Sequence, residues 1–320
     1  MAEISSLVLP FFGLILIGYV AAKVTRQGPE ALGWLNIFII YVALPALFFK
    51  IIGKTPLEEL ARFDFILTSL AATYTVFALV FALGRYGTGS TIGEATVQGL
   101  AGAYGNIGYL GPGIALAAFG EAAALPLALI FAFENMLHFS VAPALMAFDG
   151  RDDRAPLALV RAVVVKIATH PFILATAAGF LAAATGFKPP VVLQTMIDNL
   201  SQAAAPCALF AMGVTLALRP LKRVPAEIPF IVPAKLIVLP VLMYLYLSLV
   251  GNYPEVWVAT ALLLAALPTA TNVFVIAQQY STWQERASAT VLITTVISVV
   301  TVSGLLYLVK SGTFPPDLFP

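Results

Sequence analysis

Long apolar segments separated by short polar loops run along the whole chain. A bilayer core about 30 Å thick needs roughly 20 mostly apolar helical residues. A window of that length finds ten segments: about 4–24, 32–52, 63–84, 93–119, 122–147, 168–186, 191–217, 228–250, 255–279 and 286–309. The pattern therefore predicts an all-α polytopic membrane protein with ten transmembrane helices. The first segment is too long for a cleavable signal and lacks a basic leader, so we expect it to be retained.

The composition agrees with this class and argues against others. Of 320 residues, 60% are apolar and only 10% are charged, whereas soluble domains are about a quarter charged. A net charge of +1 gives no reason to expect a nucleic-acid partner. One cysteine and two histidines on separate segments argue against a metal centre. We expect no cofactor and no enzymatic activity.

The lysine and arginine distribution predicts the orientation. With the N-terminus outside, most of these residues fall in the predicted cytoplasmic loops, including the polar stretch 149–154. We therefore expect a multi-pass protein of the cell (inner) membrane with both termini outside.

The two halves of the chain repeat each other. Pro10-Phe11 recurs as Pro171-Phe172, and Pro45 and Pro206 follow at the same spacing. Each half, 1–148 and 157–312, holds five segments, so the second must insert with the opposite orientation. An inverted repeat places the substrate site near the bilayer midplane, between helices interrupted at matching positions. Chance matches in an Ala-, Gly- and Pro-rich chain are the alternative.

Segments four and nine both carry helix-breaking residues near their centres. Glycine and proline disfavour a helix interior, so we expect breaks at Gly111, Pro112 and Gly113 and at Pro268. Two crossed half-helices would point their N-termini, with partial positive charge, at an anion. Ordinary kinks are the alternative. The candidate substrate-binding residues are Asn106, Gly108, Tyr109, Thr269, Thr271 and Asn272.

Three stretches resemble motifs of the auxin efflux carrier family, which contains PIN-FORMED auxin carriers and bacterial malate and malonate permeases. Residues 267–277, LPTATNVFVIA, resemble its ninth-helix signature, and residues 41–47 and 205–213 resemble its second- and seventh-helix patterns. The fourth helix departs from the family pattern because Pro112 directly follows Gly111. The chain also lacks the long central loop of the plant carriers, which is typical of a bacterial member.

The resemblance implies a ten-helix fold similar to sodium/proton antiporters and bile-acid symporters. It implies a scaffold from 1–60 and 157–220, a moving transport domain from 61–148 and 221–312, an elevator mechanism, and a homodimer formed through the scaffold. It also implies that Asn106 and Asn272 contact the substrate carboxylate where the broken helices cross.

Ionisable residues inside membrane segments are candidates for ion or proton coupling. Glu134 lies mid-segment with His138 one turn later, and burial disfavours a charged carboxyl, so Glu134 could carry a proton or simply bond a neighbouring helix. Asp198 lies nearer a segment end, which favours a structural role. Lys235 either extends to the membrane surface or neutralises a carboxylate.

These features predict a secondary transporter of a small organic anion, a mono- or dicarboxylate, with H⁺ or Na⁺ as the coupling ion. A sodium/proton antiporter is one alternative, but it would need two adjacent carboxylates where this chain has Glu134 and Asn135. A receptor or sensor that binds without transport is the other.

Overall fold

The computed structural model describes residues 2–54, 62–149, 156–218, 224, 226–313, 315 and 317–319. These residues are helical apart from connections and an isolated antiparallel bridge between Gly105 and Thr269, so the predicted all-α class is confirmed. The helices are α1 (Ala2–Thr25), α2 (Glu30–Ile52), α3 (Phe63–Gly87), α4 (Ile92–Ala103), α5 (Ile107–Phe119), α6 (Glu121–Phe148), α7 (Pro156–Ala168), α8 (Pro171–Thr185), α9 (Val191–Leu218), α10 (Ile228–Val250), α11 (Glu255–Ala266), α12 (Thr271–Gln279) and α13 (Gln284–Lys310).

Six helices of the described chain are long and apolar enough to cross a membrane: α2, α3, α6, α9, α10 and α13. Shorter apolar helices are α5, α8, α11 and the Leu9–Thr25 part of α1. The architecture is therefore that of a multi-pass membrane protein.

The break in predicted segment four lies earlier than expected. Helix α4 ends at Ala103 and α5 begins at Ile107, whereas Gly111, Pro112 and Gly113 lie inside α5. The prediction of a break at those three residues was wrong. A proline removes one backbone donor, and membrane helices tolerate that loss as a kink.

Gly108 and Gly113 of α5 allow close packing instead. A Cβ at Gly113 would lie 3.1 Å from the Phe11 ring and 3.3 Å from the Ala205 Cβ, and one at Gly108 would lie 3.1 Å from the Phe131 ring. In segment nine, Pro268 does lie in the interruption between α11 and α12.

Helix α7 occupies a stretch that hydropathy predicted as a loop. Arg161 and Lys166 lower the apolar content of this helix. His170 has an extended backbone (ψ 126°) and Pro171 starts α8, because a residue before proline is pushed out of the helical region. Of the polar stretch 149–154, Asp149 is described and the other five residues lie outside the described part.

The chain forms two compact units. Unit 1 comprises the described parts of Met1–Phe63, Gly108–Ala132 and Ala168–Arg219, and unit 2 comprises those of Asp64–Ile107, Phe133–Ile167 and Pro220–Pro320. In unit 1, α1 packs along α9 and α2 packs against α8 and α9. The rings of Phe48, Phe131 and Phe172 form its aromatic core, with centroids 4.1–5.5 Å apart.

Helices α1 and α9 approach so closely that glycine is required at their contact. A Cβ at Gly213 would overlap the carbonyl oxygen of Ile15, and one at Gly18 would overlap that of Phe210. Small residues allow such close backbone contact, which drives helix association in membranes.

We expect Gly213→Ala to lower the free energy of unfolding by roughly 1–3 kcal/mol, because the added methyl group forces the two backbones apart. The measurement is thermal unfolding in detergent. Gly13→Ala is the matched control on α1, since a Cβ there meets no atom within 4 Å. Equal melting temperatures for the two variants would contradict the close packing.

Unit 2 has a buried interior that is unusually polar. Helix α11 packs against α10 and α13, and α4 packs against α12 and α13. Buried among them and α3 are Thr73, Glu134 and Lys235. Helix α10 contains a π-helical turn, Ala234–Val238, around Lys235. Such turns often occur at functional sites.

Candidate functional site

The two helix interruptions of unit 2 lie directly against each other. The Asn106 amide donates to the Pro268 carbonyl at 2.8 Å, and the Ala270 amide donates to the Tyr104 carbonyl at 2.9 Å. These two bonds form the antiparallel bridge between Gly105 and Thr269. Non-helical backbone is tolerated in a membrane only where its polar groups find partners, and here each interruption supplies partners for the other.

Side chains satisfy further carbonyl groups at the helix ends. The Thr269 hydroxyl donates to the Ala101 carbonyl of α4 at 2.7 Å. The Lys235 ammonium donates to the Ala265 carbonyl of α11 at 2.5 Å. A buried helix end without such partners would be costly, so Thr269 and Lys235 stabilise the broken geometry.

Two further features fix the interruptions in place. The Thr269 amide donates to the Thr294 hydroxyl of α13 at 3.2 Å. A Cβ at Gly105 would lie 3.0 Å from the Leu264 carbonyl oxygen and 3.5 Å from the Lys235 Nζ. Glycine at this position therefore lets the chain pass close to both α11 and the lysine.

The N-terminus of α12 is a candidate anion site. The first N–H groups of a helix lack intrahelical partners, and the methyl side chain of the N-cap residue Ala270 cannot accept their hydrogen bonds. The helix dipole adds partial positive charge there. Thr271 and Asn272, in this first turn, are partly exposed, so an anion could reach both the backbone donors and the Asn272 amide.

A chain of hydrogen bonds connects Asn272 with α6. Asn272 Nδ2 donates to the Tyr104 hydroxyl at 2.8 Å, and that hydroxyl donates to Asn135 Oδ1. Tyr104 is 2% exposed and its ring stacks on His138, with centroids 4.1 Å apart. Tyr104 could not be recognised as a site residue from the sequence, because an aromatic residue in an apolar segment is typical of core or lipid contacts.

A second polar cluster surrounds Glu134. The Thr73 hydroxyl donates to Glu134 Oε1 at 2.7 Å, and the Tyr74 hydroxyl lies 3.1 Å from His138 Nδ1. His138 Nε2 is buried without a hydrogen-bond partner among the described residues. Lys235 is 0% exposed, so it does not extend to the membrane surface. Its Nζ lies beside Gly105, the residue after Tyr104, whose hydroxyl donates to Asn135, the chain neighbour of Glu134. The structure thus brings together three of the four candidate coupling residues.

The other candidates lie elsewhere. Asp198 forms an ion pair with Lys50 at 2.8 Å in unit 1 and accepts from Gln194, which fits the structural role that the sequence favours. Gly108 and Tyr109 also belong to unit 1, where the Tyr109 hydroxyl lies 3.5 Å from Asn36 Oδ1. The substrate candidates in unit 2 are Asn106, Thr269, Thr271 and Asn272.

Comparison with known proteins identifies transporters. A family model described as "Membrane transport protein" matches residues 3–306. The chain is 65% identical, over the full length of both proteins, to a protein of Rhizobium meliloti (strain 1021) that carries the name "Putative malonate transporter". It is 25% identical to an uncharacterized transporter of Methanothermobacter thermautotrophicus, covering 92% of this chain and 94% of that protein. It is 24% identical to the uncharacterized transporter YfdV of Escherichia coli (strain K12), covering 93% and 95%.

Proposed function

Because the chain belongs to the membrane transport protein family, the auxin efflux carrier family that its helix motifs resemble, we propose that it is a secondary transporter of a small dicarboxylate such as malonate. The family and the relatives are transporters and not enzymes. The observation that carries the proposal is the bridge between the two helix interruptions, with the N-terminus of α12 and the Asn272 amide beside it. The name of the Rhizobium meliloti relative supports malonate as the first substrate to test.

We further propose that the chain folds as ten transmembrane helices in a 5+5 inverted repeat. In this scheme α4 with α5 forms the fourth helix, and α11 with α12 forms the ninth. The predicted scaffold would carry the homodimer contact while the transport domain moves in an elevator mechanism. Unit 1 contains α1, α2, α8 and α9 of the proposed scaffold, and it also contains α5 and the first half of α6, which the scheme assigns to the transport domain.

Substrate counterflow tests the proposed function. Purified protein in liposomes loaded with unlabelled malonate should accumulate labelled malonate from outside without any ion gradient, because a transporter exchanges its substrate. A receptor or sensor would bind malonate without exchange. Wild-type protein that binds malonate but shows no counterflow would contradict transport, and a sodium/proton antiporter would show neither.

We also propose that the protein lies in the inner membrane with both termini outside. Single cysteines at Asp149, after α6, and at Glu255, the first residue of α11, should then react with an impermeant reagent from opposite sides. Cys207 is replaced in both variants to remove the native thiol. Reaction of both cysteines from one side would contradict the inverted arrangement.

A further inference from the structure

Lys235 is a buried cation with unused hydrogen-bonding capacity. Its side chain is 0% exposed, and its Nζ donates to the Ala265 carbonyl. An ammonium group has three N–H donors, so two are left for other acceptors. Within the described part of the chain, the ion pairs closer than 4 Å do not include Lys235. A buried charge is costly unless it is paired and hydrogen-bonded, which makes this ammonium a strong site for an anion.

Glu134 is the acidic group that acts on this cation. It is 4% exposed and accepts from Thr73. Its chain neighbour Asn135 accepts from the Tyr104 hydroxyl, and Gly105, the residue after Tyr104, lies beside the Lys235 Nζ, so the two charges share the interior of unit 2, where charges interact more strongly than in water. The other titratable groups that face Glu134 are His138 from α6, Tyr74 from α3 and Tyr104 from the interruption after α4. Lys235 from α10 is the cation among these groups that can balance a carboxylate.

The location of Lys235 connects this pair to the proposed substrate site. Its Nζ bonds the last turn of α11 and lies beside Gly105, so the cation sits at the bridge between the two interruptions. The Asn272 amide reaches the same region through Tyr104. One carboxylate at the bridge could therefore meet the ammonium as well as the amide donors.

We propose that Lys235 binds a carboxylate of the substrate, and that Glu134 is its counter-ion in the absence of substrate and takes up a proton when substrate binds. This inference rests on the proposed function and deepens it by naming the coupling ion and the cation of the site. The physical reason is charge balance in a medium of low dielectric. Lys235 with ionised Glu134 is neutral, and Lys235 with one substrate carboxylate and protonated Glu134 is also neutral. Lys235 with both carboxylates ionised would carry a buried net negative charge, which is costly. The carboxylate bound at Lys235 therefore brings one proton, and the second carboxylate of a dicarboxylate would be stabilised by the partly exposed N-terminus of α12.

The competing interpretation is that Lys235 only caps α11. A cation near a helix C-terminus interacts favourably with the terminal carbonyls and the dipole, and the bond to Ala265 fits that role. A cap contributes to stability and leaves substrate affinity unchanged, so measurements of binding distinguish the two roles.

The test uses the full-length protein, malonate as the probe, and the variants Lys235→Gln and Glu134→Gln. Lys235→Gln should weaken malonate binding at least about 30-fold in calorimetry, the loss typical of removing one partner of a buried charge pair. Lys50→Gln is the matched control, because Lys50 pairs with Asp198 in unit 1, and it should bind malonate as the wild type does.

Glu134→Gln should remove the part of the proton dependence that Glu134 contributes. Wild-type affinity should fall as pH rises, because ionised Glu134 competes with malonate for Lys235. At pH values where Lys235 stays protonated, the variant should bind malonate more tightly than the wild type, because no carboxylate competes for the ammonium, and it should lose accumulation driven by a pH gradient. The titration of malonate itself affects both proteins equally, so in this pH range the difference between them belongs to Glu134. Counterflow in the same liposomes reports whether the variant is active.

Three results would overturn the inference. If Lys235→Gln binds malonate with wild-type affinity, Lys235 acts only as a helix cap. Undiminished pH-driven accumulation in Glu134→Gln would place the coupled proton elsewhere. If Lys235→Gln does not fold, the double variant Lys235→Gln/Glu134→Gln removes both charges together, and wild-type affinity in that protein would be equally decisive. Absence of counterflow in the wild type is a different outcome, because it overturns the proposed function as well.

Discussion

We expect Asn272→Ala to weaken carboxylate binding by about ten- to a hundredfold while the protein still folds. A hydrogen bond to a charged group contributes about 1.5–3 kcal/mol, which corresponds to this range in affinity. Asn272 lies in the first turn of α12, and its amide donates to the hydroxyl of Tyr104, a residue whose carbonyl takes part in the bridge. Isothermal calorimetry with malonate measures the change, and thermal unfolding measures the folding.

Three companion variants make this result specific. Asn106→Ala, at the other interruption, should weaken binding to a similar degree. Asn199→Ala on α9 is the control, because this asparagine is exposed in unit 1. Tyr104→Phe removes the hydroxyl that holds Asn272 and should have a smaller effect than Asn272→Ala. Unchanged affinity in both Asn272→Ala and Asn106→Ala would place the substrate elsewhere.

The all-helical class and the six long apolar helices could be predicted from the sequence because a membrane imposes a length and an apolar composition on each span. The position of the break in segment four could not be predicted from the sequence. Glycine permits both an unwound backbone and close helix packing, and composition does not distinguish these uses. At Gly113 the structure shows packing against Phe11, whereas the break at Tyr104–Asn106 is set by hydrogen bonds to a segment more than 160 residues later.

The candidate site was predictable where its residues share one helix. Glu134 and His138 are one turn apart, so their common face follows from helix geometry. Lys235 comes from a distant segment. Its position near the start of the predicted segment 228–250 also suits a side chain that extends to the membrane surface. Its bond to Ala265 depends on how α10 packs against α11, which local sequence does not encode. For the same reason, the sequence did not identify Thr73, Tyr74 and Tyr104 as residues of the candidate site.

Helix α7 shows a further limit of hydropathy. Its sequence is apolar on average but includes Arg161 and Lys166, so a window of membrane-span length rejects it. A helix of 13 residues needs only a start signal and good helix formers. Pro156 at its first position suits a helix start, and leucine and alanine follow.

We expect the largest loss of stability when a charge pair of unit 2, at the starts of α10 and α13, is broken. Glu227 is 4% exposed, and its Oε1 accepts from Arg286 Nη1 at 2.9 Å, from Gln98 Nε2 at 3.4 Å and from Trp283 Nε1 at 3.5 Å. One carboxylate thus connects α4 with the beginnings of α10 and α13. It is buried and depends on Arg286 for charge balance.

We expect Arg286→Met to lower the free energy of unfolding by about 3 kcal/mol, because the buried Glu227 carboxylate loses its cation. This is the low end of the range for buried pairs, since the Arg286 side chain is 31% exposed. Thermal unfolding in detergent measures the loss.

Arg85→Met is the control, because Arg85 makes one 3.4 Å hydrogen bond to the Ser90 carbonyl and its replacement should change stability little. The double variant Glu227→Gln/Arg286→Met keeps a polar group for Gln98 and Trp283 and should recover most of the loss. Malonate affinity measured below the unfolding temperature should stay at the wild-type value, in contrast to Asn272→Ala, because none of these hydrogen bonds involves the bridge between the interruptions. An Arg286→Met protein that unfolds at the wild-type temperature would show that Glu227 does not need this cation.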